Sequence, residues 1–155
     1  MTASVRIVDA EVPRAIERPT HEVAVGVLVA ADARFLMTSR PAGKVYAGYW
    51  EFPGGKFEGQ EDAAQALRRE LQEELGITID RVWPWCEEWV DYPHALVHLH
   101  FCRVYAWAGD LQMREGQQAQ WCALDQLPAL VLPGSRPVLD WIREQPCVLQ
   151  RPLTA

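Results

Sequence analysis

The stretch at residues 55–77 constrains this chain more than any other, because a glycine-rich turn leads there directly into a strongly patterned helix. From Glu61 onward, apolar residues recur at spacings of three and four, the period of a single buried helix face. The residues on this face are Ala64, Leu67, Leu71 and Leu75. Gly76 suits the left-handed position that closes a helix. The pattern therefore predicts a helix that packs against a core and ends near Gly76.

The same helix carries three glutamates, Glu70, Glu73 and Glu74. At about 100° per residue they fall within roughly a third of the helix circumference. Carboxylates placed so close repel one another and destabilise a helix unless a cation lies among them. Oxygen-only ligands suit Mg²⁺, Mn²⁺ or Ca²⁺. A solvated acidic face is the alternative interpretation of the three glutamates alone.

The spacing of the fixed residues is more specific than the acidic face. In order along the chain these residues are Gly55, Glu61, Arg69-Glu70-Leu71, Glu73-Glu74 and Gly76-Ile77, separated by five, seven, one and one residues. This pattern resembles the signature of the Nudix hydrolases, which cleave nucleoside diphosphates linked to another group. The resemblance implies a Nudix-type α/β/α sandwich with a mixed β-sheet, hence an α/β fold.

The resemblance also implies Mg²⁺-dependent hydrolysis of a phosphoanhydride, with Mn²⁺ as a substitute ion. The metal ligands it implies are the Gly54 carbonyl and the carboxylates of Glu70, Glu73, Glu74 and Glu115. The catalytic residues it implies are Glu70, Glu73 and Glu115. The general base would be Glu115 or one of the three helix glutamates, Glu70, Glu73 and Glu74. Gly55, Glu61, Arg69 and Gly76 would be structural. We expect Glu61 in the first helical turn, opposite the acidic cluster. We expect Arg69 beside Glu73, where it orients a carboxylate, with phosphate contact as the alternative role.

Substrate contacts are expected on both sides of the signature. Arg40 and Lys56 are the expected phosphate-binding cations, with Lys44 a weaker candidate. The expected base-binding residues are Glu51, Phe52, Pro53 and Ser135, and Trp50 is a further aromatic candidate.

Residues 21–145 resemble the MutT-type members of the family, which hydrolyse 8-oxo-dGTP to the monophosphate and pyrophosphate. Those proteins carry an asparagine just before the last helix, where this chain has Ser135. A serine hydroxyl makes fewer hydrogen bonds than an asparagine amide, which puts guanine selectivity in question. The alternatives are another substrate, such as CTP, dCTP, a dinucleoside polyphosphate or a nucleotide sugar, and a non-catalytic nucleotide-binding module.

Composition narrows the function classes. With 155 residues and a net charge of −6, the chain is unsuited to binding a nucleic-acid polymer or a membrane surface, both of which favour basic patches. The widely spaced Cys86, Cys102, Cys122 and Cys147 indicate free, buried thiols in a reducing cytoplasm. We expect a small-molecule nucleotide as the partner and a monomer or homodimer.

The remaining chain predicts a lead-in at 1–20, a Nudix domain at 21–146 and a frayed tail at 147–155. Expected strands are an edge strand near Val5, a central strand at 21–30 with a hairpin partner at 35–39, an antiparallel pair at 81–90 and 95–107, and a strand at 121–124. Ser135 is the expected N-cap of a last helix at 136–144. His98 and His100 alternate with apolar residues, so both imidazoles are predicted on one face. The sequence shows no third metal ligand beside them, and hydrogen-bonded histidines are the favoured interpretation.

Overall fold

The structure, a computed structural model, describes residues 5–153. Its ten strands and two α-helices within that range are β1 (Val5–Ile7), β2 (Thr20–Leu28), β3 (Phe35–Ser39), β4 (Trp50–Glu51), β5 (Gly54–Lys56), α1 (Ala63–Leu75), β6 (Thr78–Ile79), β7 (Val82–Asp91), β8 (Leu96–Val104), β9 (Trp107–Ala108), β10 (Ala119–Cys122) and α2 (Arg136–Glu144). No helix among the described residues is long and apolar enough to cross a membrane.

A five-stranded mixed sheet in the order β1-β7-β8-β2-β5 forms the centre of the fold. Strand β2 runs parallel to β8 and antiparallel to β5, while β7 and β8 form the predicted antiparallel pair. The edge strand β1 runs parallel to β7. The predicted strand at 95–107 breaks after Val104, and β9 pairs separately with β6.

The two helices cover opposite faces of this sheet. Along β2, Ala24 and Leu28 join the cluster that buries Leu67, Leu71 and Leu75 of α1. The alternating Val25 and Val27 join a second cluster, which contains Val138 and Ile142 of α2. Because side chains alternate across a strand, one nearly continuous apolar segment supplies both cores. The expected α/β/α arrangement with a mixed sheet is confirmed.

The predicted hairpin between β2 and β3 is wrong beyond its turn. Ala30 and Arg34 close the connection by a backbone hydrogen bond of 2.8 Å. Past the single bridge between Val29 and Phe35, however, β3 joins a separate sheet between β10 and β4. Both faces of each strand are apolar, so alternation could not identify their partners.

Helix α1 begins two residues later than expected, at Ala63. Asp62 is its N-cap and forms a reciprocal capping box with Gln65, with bonds of 2.8 and 2.9 Å. Ala66, rather than the expected Ala64, is buried with the three leucines. At the other end Gly76 adopts φ 69° and ψ 21°, which confirms the predicted left-handed cap.

The C-terminal segment is more ordered than a frayed tail. After α2, a short 3-10 helix spans Pro146–Leu149 and buries Val148 in the core. The Tyr105 hydroxyl donates a 2.7 Å hydrogen bond to the Val148 carbonyl. The expected fraying is therefore wrong for this part of the chain. All four thiols are free, as predicted, but Cys147 is exposed rather than buried.

Candidate active site

A cavity of about 740 Å³ opens on the α2 side of the five-stranded sheet. Its floor contains Val23 and Val25 of β2 together with Leu99 and Phe101 of β8. The acidic part of its lining consists of Glu70, Glu73, Glu74 and Glu115. The volume lies within the range of about 300 to 1,000 Å³ that small-molecule sites occupy. One end of this cavity suits cations and phosphates, and the other suits an apolar ring.

Helix α1 presents its three glutamates to this cavity at different depths. Their leucine neighbours are anchored in the core, which directs the acidic face toward the turn at Gly54 and Gly55. The Glu70 side chain is 14% exposed and that of Glu73 is 56% exposed. The predicted clustering of the three carboxylates on one surface is confirmed.

Glu74 is strongly perturbed by its surroundings. Burial, together with the nearby carboxylates of Glu70 and Glu115, raises the pKa of Glu74 from 4.5 to about 9. Like charges in a poorly solvated place cannot all remain ionised without a compensating cation. The donor set consists of carboxylate oxygens, which is the chemistry that hard divalent cations require. These residues therefore fit a divalent metal ion.

The Glu74 pKa predicts how the metal-free protein responds to pH. Between about pH 4.5 and 9 the folded state binds a proton at Glu74 that the unfolded state has released. The free energy of unfolding should therefore fall as pH rises through this window, by up to about 1.4 kcal/mol per pH unit. Urea denaturation in chelator at several pH values measures the slope. Glu74→Gln should flatten it, and an unchanged slope in that variant would refute the assignment.

The glycine turn lets the backbone approach the helix closely. A β-carbon on Gly55 would lie far inside 3.0 Å of the Glu70 carboxylate. A β-carbon on Gly54 would overlap the carbonyl of Ala24, which belongs to the paired strand β2. Gly54 therefore excludes any side chain, whereas a side chain at position 55 would have to displace the Glu70 carboxylate from its place.

Arg69 organises the acidic face. Its Nη1 donates to Glu70 Oε1 at 2.9 Å and to Glu73 Oε2 at 3.2 Å. Its Nε and Nη2 donate to the two oxygens of Glu61 at 2.8 and 2.9 Å, and Nη2 also reaches the Lys56 carbonyl at 2.8 Å. Hydrogen bonds to Glu61 and Glu70 raise the Arg69 pKa, so this guanidinium stays charged. One planar fork thus holds two acids of the cluster against the glycine turn.

The expected position of Glu61 requires correction. Glu61 precedes the helix instead of lying in its first turn, and through Arg69 it is tied to the acidic cluster. Its Oε1 also accepts a 2.8 Å hydrogen bond from the Glu58 amide, so the expected loop-amide contact is present. Helical periodicity could not predict the position of Glu61, because Glu61 lies outside the helix.

Arg69→Lys tests the fork directly. Lysine keeps the positive charge but cannot donate to Glu61 and Glu70 in the same planar geometry. We expect turnover to fall about 10- to 100-fold, as for other groups that orient metal ligands, while the variant remains folded. Steady-state rates at saturating divalent metal measure the loss. Arg68→Lys, on an exposed position of the same helix, is the matched control. Equal rates in both variants would exclude an orienting role for Arg69.

Glu115 reaches the cavity from a loop that is fastened to the end of α1. Arg114 donates to the Gln72 carbonyl at 3.0 Å and packs over Gly76. The buried Gln117 accepts from the Glu115 amide at 2.9 Å and donates to the Glu74 carbonyl at 3.4 Å. Sequence reasoning missed Gln117, although its place two residues after Glu115 in a polar loop was a usable signal.

The expected phosphate-binding cations differ in their surroundings. Lys56 is exposed and lines the cavity, which agrees with its predicted place. Arg40 also lines the cavity, but its Nη1 pairs with both Glu51 oxygens at 3.1 and 3.2 Å, and its Nε donates to the Val45 carbonyl. Lys44 Nζ lies 3.8 Å from Glu115 Oε2. Two of the three Arg40 nitrogens, Nε and Nη1, are therefore engaged within the protein.

The expected base-binding residues all line the cavity. Phe52 is 3% exposed and packs against Phe35, and burial raises the pKa of Glu51 despite Arg40. Ser135 precedes α2, as predicted, but makes no capping bond; its hydroxyl instead accepts from the Phe52 amide at 3.3 Å. Trp50 is not among the lining residues that the structure describes for this cavity.

Sequence reasoning also missed part of the cavity wall, namely His21, Tyr92 and His94. Burial, and after it the charge of Lys56, lowers the His21 pKa. Burial, and after it the positive charges of Arg40 and Lys56, lowers the pKa of His94. The alternation of His21 with Val23 and Val25 along β2 was the available signal for the first of these residues.

Comparison with known proteins agrees with the fold and the site. The sequence profile of the NUDIX domain matches residues 20–142. A CTP pyrophosphohydrolase of Escherichia coli (strain K12) is 36% identical over 117 residues, covering 75% of this chain and 87% of that protein. An 8-oxo-dGTP diphosphatase of Haemophilus influenzae is 34% identical over 114 residues, covering 74% and 84%. A MutT NUDIX hydrolase structure from Burkholderia pseudomallei has a TM-score of 0.70 at 28% identity, covering 80% and 98%.

A mixed sheet between two helices, with a carboxylate cluster at one end of a nucleotide-sized cavity, defines an enzyme that acts on phosphoanhydride bonds. The chain belongs to the Nudix hydrolase family.

Proposed function

We propose that this enzyme is a Mg²⁺-dependent pyrophosphohydrolase that converts 8-oxo-dGTP, and dGTP less efficiently, to the monophosphate and pyrophosphate. The cavity carries the proposal, because it joins a four-glutamate end to an apolar wall of β2 and β8. Similarity to 8-oxo-dGTP diphosphatases, such as that of Haemophilus influenzae, supports the choice of base. The corresponding role would be removal of oxidised nucleotides before they enter DNA, as part of DNA repair.

Glu70, Glu73 and Glu74, with the carbonyl of Gly54 and the carboxylate of Glu115, would hold the magnesium ions. Bound magnesium supplies charge neutralisation on the phosphates and a water of lowered pKa, and Mn²⁺ would substitute. Arg69 keeps Glu70 and Glu73 oriented, at 2.9 and 3.2 Å. One of Glu70, Glu73 and Glu115 would accept the proton of the attacking water. Glu115 comes from a separate loop and not from α1, and it would serve as ligand or base.

The substrate would lie along the cavity, with its phosphates at the glutamates and its base toward Phe52 and Ser135. Lys56 is exposed at this wall and is the cation we assign to the phosphates. Arg40 holds the Glu51 carboxyl group through its Nη1 and would be a second phosphate-binding cation. Glu51, Phe52 and Pro53 would contact the base from one side and Ser135 from the other.

The free thiols support a cytoplasmic location. We keep a monomer or homodimer as the expected assembly.

A second candidate keeps the chemistry but changes the base. The CTP pyrophosphohydrolase of Escherichia coli is 36% identical to this chain, which is as similar as the 8-oxo-dGTP diphosphatases. Ser135 also engages the Phe52 amide, leaving less hydrogen-bonding capacity for a purine edge. CTP or dCTP hydrolysis is therefore the competing proposal.

Product analysis with purified protein and Mg²⁺ separates the candidates. The substrates are 8-oxo-dGTP, dGTP, CTP, dCTP and ADP-ribose, each offered alone at low concentration. The proposal predicts the highest kcat/KM for 8-oxo-dGTP, with monophosphate and pyrophosphate as products. Higher kcat/KM for CTP or dCTP would establish the second candidate. Ser135→Asn should then raise the ratio of 8-oxo-dGTP to CTP hydrolysis if residue 135 reads the base.

A further inference from the structure

A second group of metal-ligand side chains lies on the other face of the central sheet. Along β8, Val97, Leu99 and Phe101 line the cavity, whereas the alternating His98 and His100 lie on the opposite face, together as predicted. The third ligand that the sequence could not supply comes from the neighbouring strand. Glu22 of β2 stands opposite His98 in the parallel register.

The donor atoms of these three residues converge. Glu22 Oε2 lies 2.8 Å from His98 Nδ1 and 3.1 Å from His100 Nε2. All three donors lie within 4.8 Å of one another. Tetrahedral zinc with bonds of about 2.0 to 2.1 Å holds its ligand atoms about 3.3 Å apart. Only a small side-chain adjustment is needed to admit an ion among these donors.

The outer nitrogen of each imidazole faces a second carboxylate. Glu87 of β7 lies opposite His100 in the antiparallel register. Its Oε1 is 2.9 Å from His100 Nδ1 and 3.7 Å from His98 Nε2. Only the His100 distance allows a hydrogen bond, so a neutral His100 that donates from Nδ1 to Glu87 keeps the lone pair of its Nε2 directed at Glu22. Metal-binding histidines in proteins are oriented by such outer carboxylates.

Aromatic neighbours hold both rings in place. The Trp89 ring stacks parallel to His98 at a centroid distance of 4.2 Å. Phe57 packs against His100 at 4.9 Å. The imidazoles are 14% and 18% exposed, while Glu22 is 46% exposed, so an ion can enter from solvent on the carboxylate side. The ligands are thus preorganised on three paired strands and remain accessible.

We propose that Glu22, His98 and His100 form a second metal site, which binds a divalent transition metal such as Zn²⁺, with Glu87 orienting the His100 imidazole. Two nitrogens and one carboxylate favour zinc and its neighbours over Mg²⁺, which prefers oxygen ligands. The three residues leave a fourth coordination position to water. Because the site lies across the sheet from the cavity, the proposal is independent of which nucleotide the enzyme cleaves.

Titration of tag-free protein with Co²⁺ and Zn²⁺, in excess Mg²⁺ to occupy the glutamate cluster, tests the site. Visible absorption should show one Co²⁺ bound through imidazole, and competition with a chelating dye should give the Zn²⁺ affinity. His98→Gln and His100→Gln should each weaken Zn²⁺ binding more than 100-fold. Glu87→Gln, which removes only the outer carboxylate, should weaken it about 10- to 100-fold. His94→Gln, on the cavity face, should leave it unchanged.

Several outcomes would overturn the second site. Wild-type protein without imidazole-type Co²⁺ absorption would show a hydrogen-bonded cluster only. Equal Zn²⁺ affinity in wild type and both histidine variants would place the ion elsewhere. If the histidine variants do not fold, Glu22→Gln carries the test, because Glu22 is half exposed and the substitution keeps its shape. An unchanged Zn²⁺ affinity in Glu22→Gln would then exclude the proposal.

Discussion

Glu74→Gln should lower kcat about 1,000-fold with saturating Mg²⁺, while the protein stays folded. Burial and the neighbouring carboxylates of Glu70 and Glu115 raise the pKa of Glu74, so its carboxyl group lies where positive charge is needed. Replacing it by a neutral amide removes a metal ligand, and a loss of about 4 kcal/mol of transition-state stabilisation corresponds to about three decades in rate. Pyrophosphate release from the best substrate of the panel measures the effect.

The same substitution should act in the opposite direction on stability. In chelator, Glu74→Gln removes one member of a group of mutually repelling acids, so the variant should melt a few degrees above wild type. Glu144→Gln, at the exposed end of α2, is the matched control and should change neither kcat nor the melting temperature. Near-normal turnover in Glu74→Gln would remove this residue from the metal site. Loss of folding in chelator would instead show that its carboxyl group is needed for structure.

Gly54→Ala should produce the largest loss of stability of any single methyl addition in the glycine turn. The new β-carbon would overlap the Ala24 carbonyl, which is backbone and cannot rotate away. Strands β2 and β5 would have to separate at their Val25 and Gly54 pair. We expect a cost of at least about 3 kcal/mol, which lowers the melting temperature by about 6 to 12 °C for a chain of this size. Thermal denaturation followed by circular dichroism measures the shift.

Gly59→Ala separates this steric effect from ordinary backbone strain. Gly59 has φ 54°, and a β-carbon there would meet nothing within 4 Å. Its substitution should therefore cost only about 1 kcal/mol, the cost of a left-handed conformation for an L-residue. Equal melting temperatures for the two variants would mean that the close approach of Gly54 to Ala24 does not limit stability.

The local parts of the site could be predicted from the sequence. Helical period placed the leucine face and the glutamate face of α1 correctly, because both depend only on an angle of about 100° per residue. The left-handed Gly76 follows equally from local backbone sterics. The alternation in β8 placed His98 and His100 on one face for the same kind of reason. These features are fixed by residues within a few positions of one another.

Only the tertiary structure decided which distant groups meet. The pairing of Arg40 with Glu51, the contact of Ser135 with the Phe52 amide and the reach of Glu22 to the two histidines each join different strands or loops. Strand β3 likewise left β2 for another sheet because both have two apolar faces, so neither sequence specifies its neighbour. The chemistry of each side chain is local, but its partner depends on sheet register and loop packing, which the whole core determines.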